Sequence, residues 1–67
     1  MTDLQMEQFS GKHVTAKCAD MPHCYGELRS RTEGGRKIWS LHAPDGTETF
    51  SGEAKMFQQV SEVAAGF

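Results

Sequence analysis

The stretch Tyr25-Gly-Glu-Leu-Arg-Ser-Arg-Thr32, Glu33-Gly-Gly-Arg36, Lys37-Ile-Trp-Ser-Leu-His42 decides the fold. Two runs flank a Gly-Gly pair, and glycine takes the left-handed conformations that a tight hairpin turn demands, so the stretch reads as a β-hairpin. A second turn follows at Ala43-Pro44-Asp45-Gly46, with Pro44 setting φ at the first central position and Gly46 supplying a left-handed residue. It leads into a further strand, Thr47-Glu-Thr-Phe50. Upstream, the β-branched pair Val14-Thr15 permits a strand from Lys12 to Cys18, closed by a loop over Ala19–His23 in which Pro22 lacks a backbone N–H. Period two places Leu28, Trp39, Leu41 and Phe50 on one face and Tyr25, Glu27, Arg29, Arg31, Ile38, Ser40 and His42 on the other. The first face is the expected core.

Beyond Ser51-Gly52 the periodicity changes. Glu53 to Ala65 is rich in helix formers and sets Met56, Val60, Val63, Ala64 and Phe67 at helical spacing with Phe57 beside them, which predicts a helix. Ser51 would be its N-cap and Gly66 its C-terminal glycine. Residues 1–11 are polar apart from Leu4, Met6 and Phe9, and read as a tail or a short helix. The expected architecture is therefore α+β: one domain over 12–67, a small antiparallel β-meander of three to four strands with a C-terminal α-helix packed on one face.

Sixty-seven residues suffice for one domain with a thin core, which leaves self-association as a homodimer open. A net charge of −2 gives a field that weakly repels nucleic acid and anionic membrane, so contact with DNA would need a local basic patch. There is no 18-residue apolar run and no export signal at Met1-Thr-Asp-Leu-Gln5, so the chain is read as cytoplasmic, off the membrane, with Cys18 and Cys24 reduced.

The soft ligands are His13, Cys18, His23, Cys24 and His42. Zinc asks for about four such groups in a tetrahedron, and cysteines five apart with no second pair do not match its usual hairpins, so no metal is expected. A metal, if held, would use Cys18, Cys24, His13 and His23. Cys24 beside His23 names two members of a nucleophilic pair, but sequence neighbours diverge in space and no third orienting group is evident. Gly34-Gly35 lacks the lysine of a phosphate-binding loop. No enzyme and no cofactor are expected.

What remains is the polar sheet face. Tyr25, Arg29, Arg31, Ile38 and His42 combine an aromatic ring, an aliphatic side chain and arginines, the mixture that interface hot spots favour. The solvated alternative is an arginine-bearing face that guards the sheet against edge pairing. The binding reading makes the chain a small adaptor or inhibitor that associates stoichiometrically with a macromolecule, a protein first and nucleic acid second. In size and plainness it is similar to the accessory proteins of phages and mobile elements.

One stretch carries a more particular likeness. Gly35-Arg-Lys-Ile38, six residues, Asp45-Gly46, then Phe50 and Glu53-x-Lys55-x-Phe57 resembles the C-terminal hairpin and tail of the Cro repressors of lambdoid phages. Thr15-Ala-Lys17 resembles the start of that family's second helix. The resemblance implies a DNA-binding transcriptional repressor, with Tyr25, Arg29 and Arg31 facing the groove and the hairpin building a dimer. The chain departs from the pattern by one extra residue after the hairpin turn and by two extra residues in Met21–Leu28, where Pro22 and Gly26 fall in the span of the recognition helix.

Overall fold

The structure, a computed structural model, describes residues 1–63. After a short helix α1 (Asp3–Glu7) come the strands β1 (His13–Cys18), β2 (Cys24–Glu33), β3 (Arg36–His42) and β4 (Glu48–Gly52). A single 3-10 turn, Ala54–Met56, then leads into β5 (Phe57–Glu62). All pairings are antiparallel and the strand order is β4-β3-β2-β1-β5, so the chain meanders across four strands and returns to the far edge.

The pivot is β2. Its first residues pair with β1, Gly26 opposite Val14, and from Glu27 onward it pairs with β3, Leu28 opposite Leu41 and Glu33 opposite Arg36. At the change of partner Gly26 takes φ 148°, and a Cβ there would stand 2.6 Å from the His42 carbonyl oxygen. Only glycine lets the two strands approach this closely. The bend lets the sheet curl so that its apolar face closes on itself. Val14, Leu28, Trp39, Leu41 and Phe57 are fully buried in one cluster with Met6, and the Phe50 ring meets Phe57 edge-on at 5.2 Å.

Local chemistry sets the turns. Gly34 and Gly35 both have positive φ, which matches the right-handed twist of β2 and β3. At the second turn Gly46 N–H donates to the Ala43 carbonyl at 2.8 Å and Asp45 Oδ1 accepts from Thr47 N–H at 2.9 Å. The helix α1 is set by a capping box between Thr2 and Gln5. Met6 buries completely, Leu4 stays 83% exposed, and Asp3 Oδ1 accepts from Trp39 Nε1 at 2.9 Å, tying α1 to β3.

The C-terminal helix expected over Glu53–Ala65 is absent from the described part of that span, and the α+β architecture built on it is corrected to a five-stranded antiparallel sheet whose core is closed by the sheet together with α1 and the 3-10 turn. Ser51, expected as the N-cap, lies in β4 opposite Ser40, and Phe57–Glu62 forms β5 along the edge of β1. The misreading has a physical cause. Phe57 and Val60 stand three apart, as on a helix face, but Cys18 pairs with Phe57 and Lys17 with Gln59, so an irregularity absorbs Gln58 and both apolar residues face inward. Helix propensity amounts to tenths of a kcal/mol per residue, whereas β5 satisfies an edge of backbone hydrogen bonds that β1 would otherwise leave open. The remaining residues of the expected helix, from Ala64 to its Gly66 cap, and Phe67 lie outside the described residues.

Candidate functional site

Residues paired Cα to Cα across a sheet stand side by side on one face, so the register maps the outer surface. Along one row Ser61, Thr15 and Tyr25 are neighbours, and Gln59 adjoins Lys17. The next row runs His13, Glu27, His42, Glu48. Arg29 then faces Ser40, Arg31 faces Ile38, and Glu33 faces Arg36 at the hairpin tip. Tyr25, Arg29, Arg31, Ile38 and His42 therefore share one surface. Tyr25 is 68% exposed, and Ile38 and His42 are half-buried.

The surface divides by charge. On the hairpin, Arg29 donates to Glu27 at 2.9 Å, Arg31 pairs with Glu33 and with Glu48 at 2.7 Å, and Arg36 reaches Glu53 at 3.1 Å. The hydrogen bond and charge of Arg29 hold Glu27 below the usual carboxylate range, with His13 and His42 adding smaller pulls. Arg31 does the same to Glu48, and the two carboxylates in turn raise the Arg31 guanidinium. The arginines on this face are thus neutralised within the molecule. Such exposed pairs are worth about 0–1 kcal/mol each, so a partner can displace them at small cost.

Two other constellations bear on chemistry. Ser40 Oγ lies 2.8 Å from His42 Nε2, and His42 Nδ1 lies 3.3 Å from the Gly46 carbonyl. With the proton on Nδ1, the ring donates to Gly46 and accepts from the serine. This is a nucleophile–base pair in form, but Ser40 is only 2% exposed, so the contact serves to fix the turn after β3. The second is Cys18 and Cys24, both free and buried on the core side. Burial, with the Cys24 thiol beside it, pushes Cys18 up to about 12, and Cys24 Sγ contacts the Met21 carbonyl at 3.5 Å. A protonated thiol is a poor nucleophile and a poor ligand, which sets Cys18 aside. Of the residues named for a metal, His13 lies on the outer face beside Glu27 and the cysteines point inward, and no group of three or more His, Cys, Asp or Glu is arranged for a metal ion among the described residues.

A cleft of about 300 Å³ opens on the other half of the outer face, beside the loop between β1 and β2. Thr15, Lys17, Tyr25, Gln59 and Ser61 line it with Pro22 and His23 from the loop, and Ala16 and Cys24, paired across β1 and β2, complete the lining. Sequence reasoning placed Tyr25 on this face and missed the others. Gln59 and Ser61 had been assigned to a helix, and only the strand character of β5 brings them beside Thr15 and Lys17. The signal available was alternation in Gln59-Val60-Ser61, which the Phe57–Val60 spacing masked.

No helix among the described residues is long and apolar enough to cross a membrane. No protein-family model, curated protein or solved structure matches the chain.

Proposed function

We propose that this chain is a non-catalytic binding module, an adaptor or inhibitor of the phage or mobile-element accessory type, that associates stoichiometrically with a macromolecular protein in the cytoplasm. The contact surface is the outer sheet face, with Tyr25 as its aromatic anchor, His42 beside it, and Arg29, Arg31 and Ile38 toward the hairpin tip. The observation that carries this reading is the 68% exposure of Tyr25 on a sheet whose other large aromatic side chains on the strands are wholly or partly buried. An exposed tyrosine at the rim of a cleft offers contact area at low conformational cost, with a hydroxyl for orientation. Protein is favoured over nucleic acid because the arginines of this face already hold carboxylates and the chain carries a net −2.

A second reading, a Cro-like repressor, rests on the shape of the hairpin. Residues 29–36 are exposed on both faces of the ribbon, and a two-stranded ribbon fits a major groove. DNA would then be met by Arg29 and Arg31 on β2, since Thr15–Lys17 and Tyr25–Arg31 are strand residues. One experiment separates the two. The immobilised chain is exposed to lysate with and without nuclease, alongside Tyr25→Ala and an Arg29→Glu/Arg31→Glu double variant. A protein retained after nuclease and lost in the Tyr25 variant supports the module. Loss of all retained material on nuclease treatment, with salt-steep duplex binding that the arginine variant abolishes, supports the repressor.

A further inference from the structure

The outer face has one end whose polar groups satisfy each other and one end whose polar groups do not. At the hairpin end the charged side chains hold one another. At the cleft, the side chains of Thr15, Lys17, His23, Tyr25, Gln59 and Ser61 enter none of the ion pairs or side-chain hydrogen bonds found among the described residues. Lys17 and Lys55 are the Lys or Arg side chains without an ion pair there, and only Lys17 lines the cleft. The chain carries nine Asp and Glu, all among the described residues, yet none of them belongs to the lining.

We propose that this cleft docks an acidic peptide segment of a protein partner. One carboxylate of the segment sits on Lys17, hydrogen-bonded also by the polar side chains of the β1–β5 rows, and a neighbouring apolar side chain lies on Tyr25 against Pro22. Charge complementarity selects this occupant: an ammonium with no ion pair among the described residues, in a recess lined by no Asp or Glu, attracts an anion, and the exposed ring and proline supply apolar contact next to it. The recess suits a short segment better than a polyanion, because one cation stands there while the flanking row carries Glu27 and Glu48. Each of them holds an arginine, Arg29 or Arg31, so the row offers no free cation to a continuous phosphate backbone laid along the sheet. The inference deepens the binding-module reading and rests on it.

The test is an amide-resolved NMR titration of the isotope-labelled chain with three probes: acetyl-Leu-Asp-Glu-Leu-amide, its Asn/Gln counterpart, and a short oligothymidylate. The acidic peptide is expected to bind weakly and to shift Thr15, Lys17, Tyr25, Gln59 and Ser61, the amide counterpart about fivefold more weakly, in keeping with one exposed ion pair. Lys17→Glu should abolish the preference for the acidic peptide, while Lys55→Glu, which changes the net charge equally, should leave it intact. Equal binding of the two peptides, no shifts at the cleft, or tighter oligothymidylate binding at the same residues overturns the proposal. The two levels fail separately. A partner captured from lysate by the Lys17→Glu variant but not by the arginine double variant refutes the cleft and leaves the module standing. Acidic-peptide binding at the cleft with no partner captured by the native chain does the reverse.

Discussion

Replacing Gly26 by alanine tests the bend on which the whole sheet depends. The new Cβ would lie 2.6 Å from the His42 carbonyl oxygen, 2.9 Å from its nitrogen and 3.0 Å from its carbonyl carbon, all backbone atoms that cannot swing aside. Gly26 also sits at φ 148°, a conformation that costs an L-residue about 1–3 kcal/mol. Forcing β2 away from β3 adds about 1–3 kcal/mol of overpacking. The sum, about 2–6 kcal/mol, is comparable to the whole stability of such a domain, roughly 3–10 kcal/mol at the usual value per residue. Gly34→Ala is the internal control: its φ is 57° but no atom lies within 4 Å of the new methyl group, so only the backbone term of about 1–2 kcal/mol applies. Urea unfolding followed by Trp39 fluorescence measures both. With a slope near 1 kcal/mol per molar, Gly26→Ala should lower the midpoint by about 2 M or more, or leave the chain unfolded in buffer. If Gly26→Ala costs no more than Gly34→Ala, the strands do not cross closely at His42 and the account of the curled sheet is wrong.

Three further outcomes are expected. Trp39→Phe keeps most of the buried ring but leaves Asp3 without its N–H donor, and should cost about 1–3 kcal/mol in urea unfolding; Trp39→Ala should cost about 3–5 kcal/mol, and a Trp39→Ala chain as stable as the native one would show that the ring does not lie in the core. Cys18 titrates near 12 in the folded chain against an ordinary 9.0, so the folded state favours the protonated thiol. Its contribution to stability is complete below pH 9 and is lost as pH rises toward about 12, a decline that Cys18→Ala should remove from the urea midpoints and that native-state alkylation should mirror as a slow reaction at neutral pH. Glu48 titrates below its ordinary 4.5 because Arg31 holds it, so its contribution is present above that value and is lost as pH falls through the lowered one. In an NMR titration Arg31→Gln should return Glu48 toward 4.5, and an unchanged titration would show that the pair does not form in solution.

The parts of the fold that were legible in the sequence are those dictated by one or two residues acting locally. Gly34-Gly35 fixes a turn wherever it occurs between two extended runs, and Pro44-Asp45-Gly46 fixes another, so the hairpin and the strand after it follow without tertiary information. The inward set Leu28, Trp39 and Leu41 follows in turn, because a period of two leaves no freedom once the register is pinned by the turn. What was not legible depends on distant parts of the chain. Whether Phe57–Glu62 coils or extends is settled by the open edge of β1, 39 residues upstream by the register that sets Cys18 opposite Phe57, and by the irregularity there that lets Gln58 and Gln59 both face outward. Nothing within the segment announces that irregularity. Composition argued for a helix, and the sheet overrode it.

The same error governs how much of the candidate site could be found in advance. A face drawn from β2 and β3 alone holds arginines and a tyrosine, and reads as basic. The carboxylates that neutralise it come from within the hairpin and from Glu48 and Glu53 just beyond it, and their pairing is a matter of side-chain reach across strands rather than of sequence spacing. Once β5 is added beside β1, the outer face gains a second half whose polar groups have no partner among the described residues, and the exposed Tyr25 stands at its rim instead of at the margin of an arginine patch. Burial of the apolar face by curling rather than by a covering helix is what leaves that half open. An α+β arrangement with a helix over Glu53–Ala65 would have supplied no strand on the far side of β1, and Thr15 and Lys17 would have stood on a bare edge with no wall opposite Tyr25. The recess is thus a consequence of the same pairing that completes the fold, which is why a substitution that detaches β5, such as Val60→Asp in its buried position, should abolish the cleft together with stability, whereas Lys17→Glu should change binding alone.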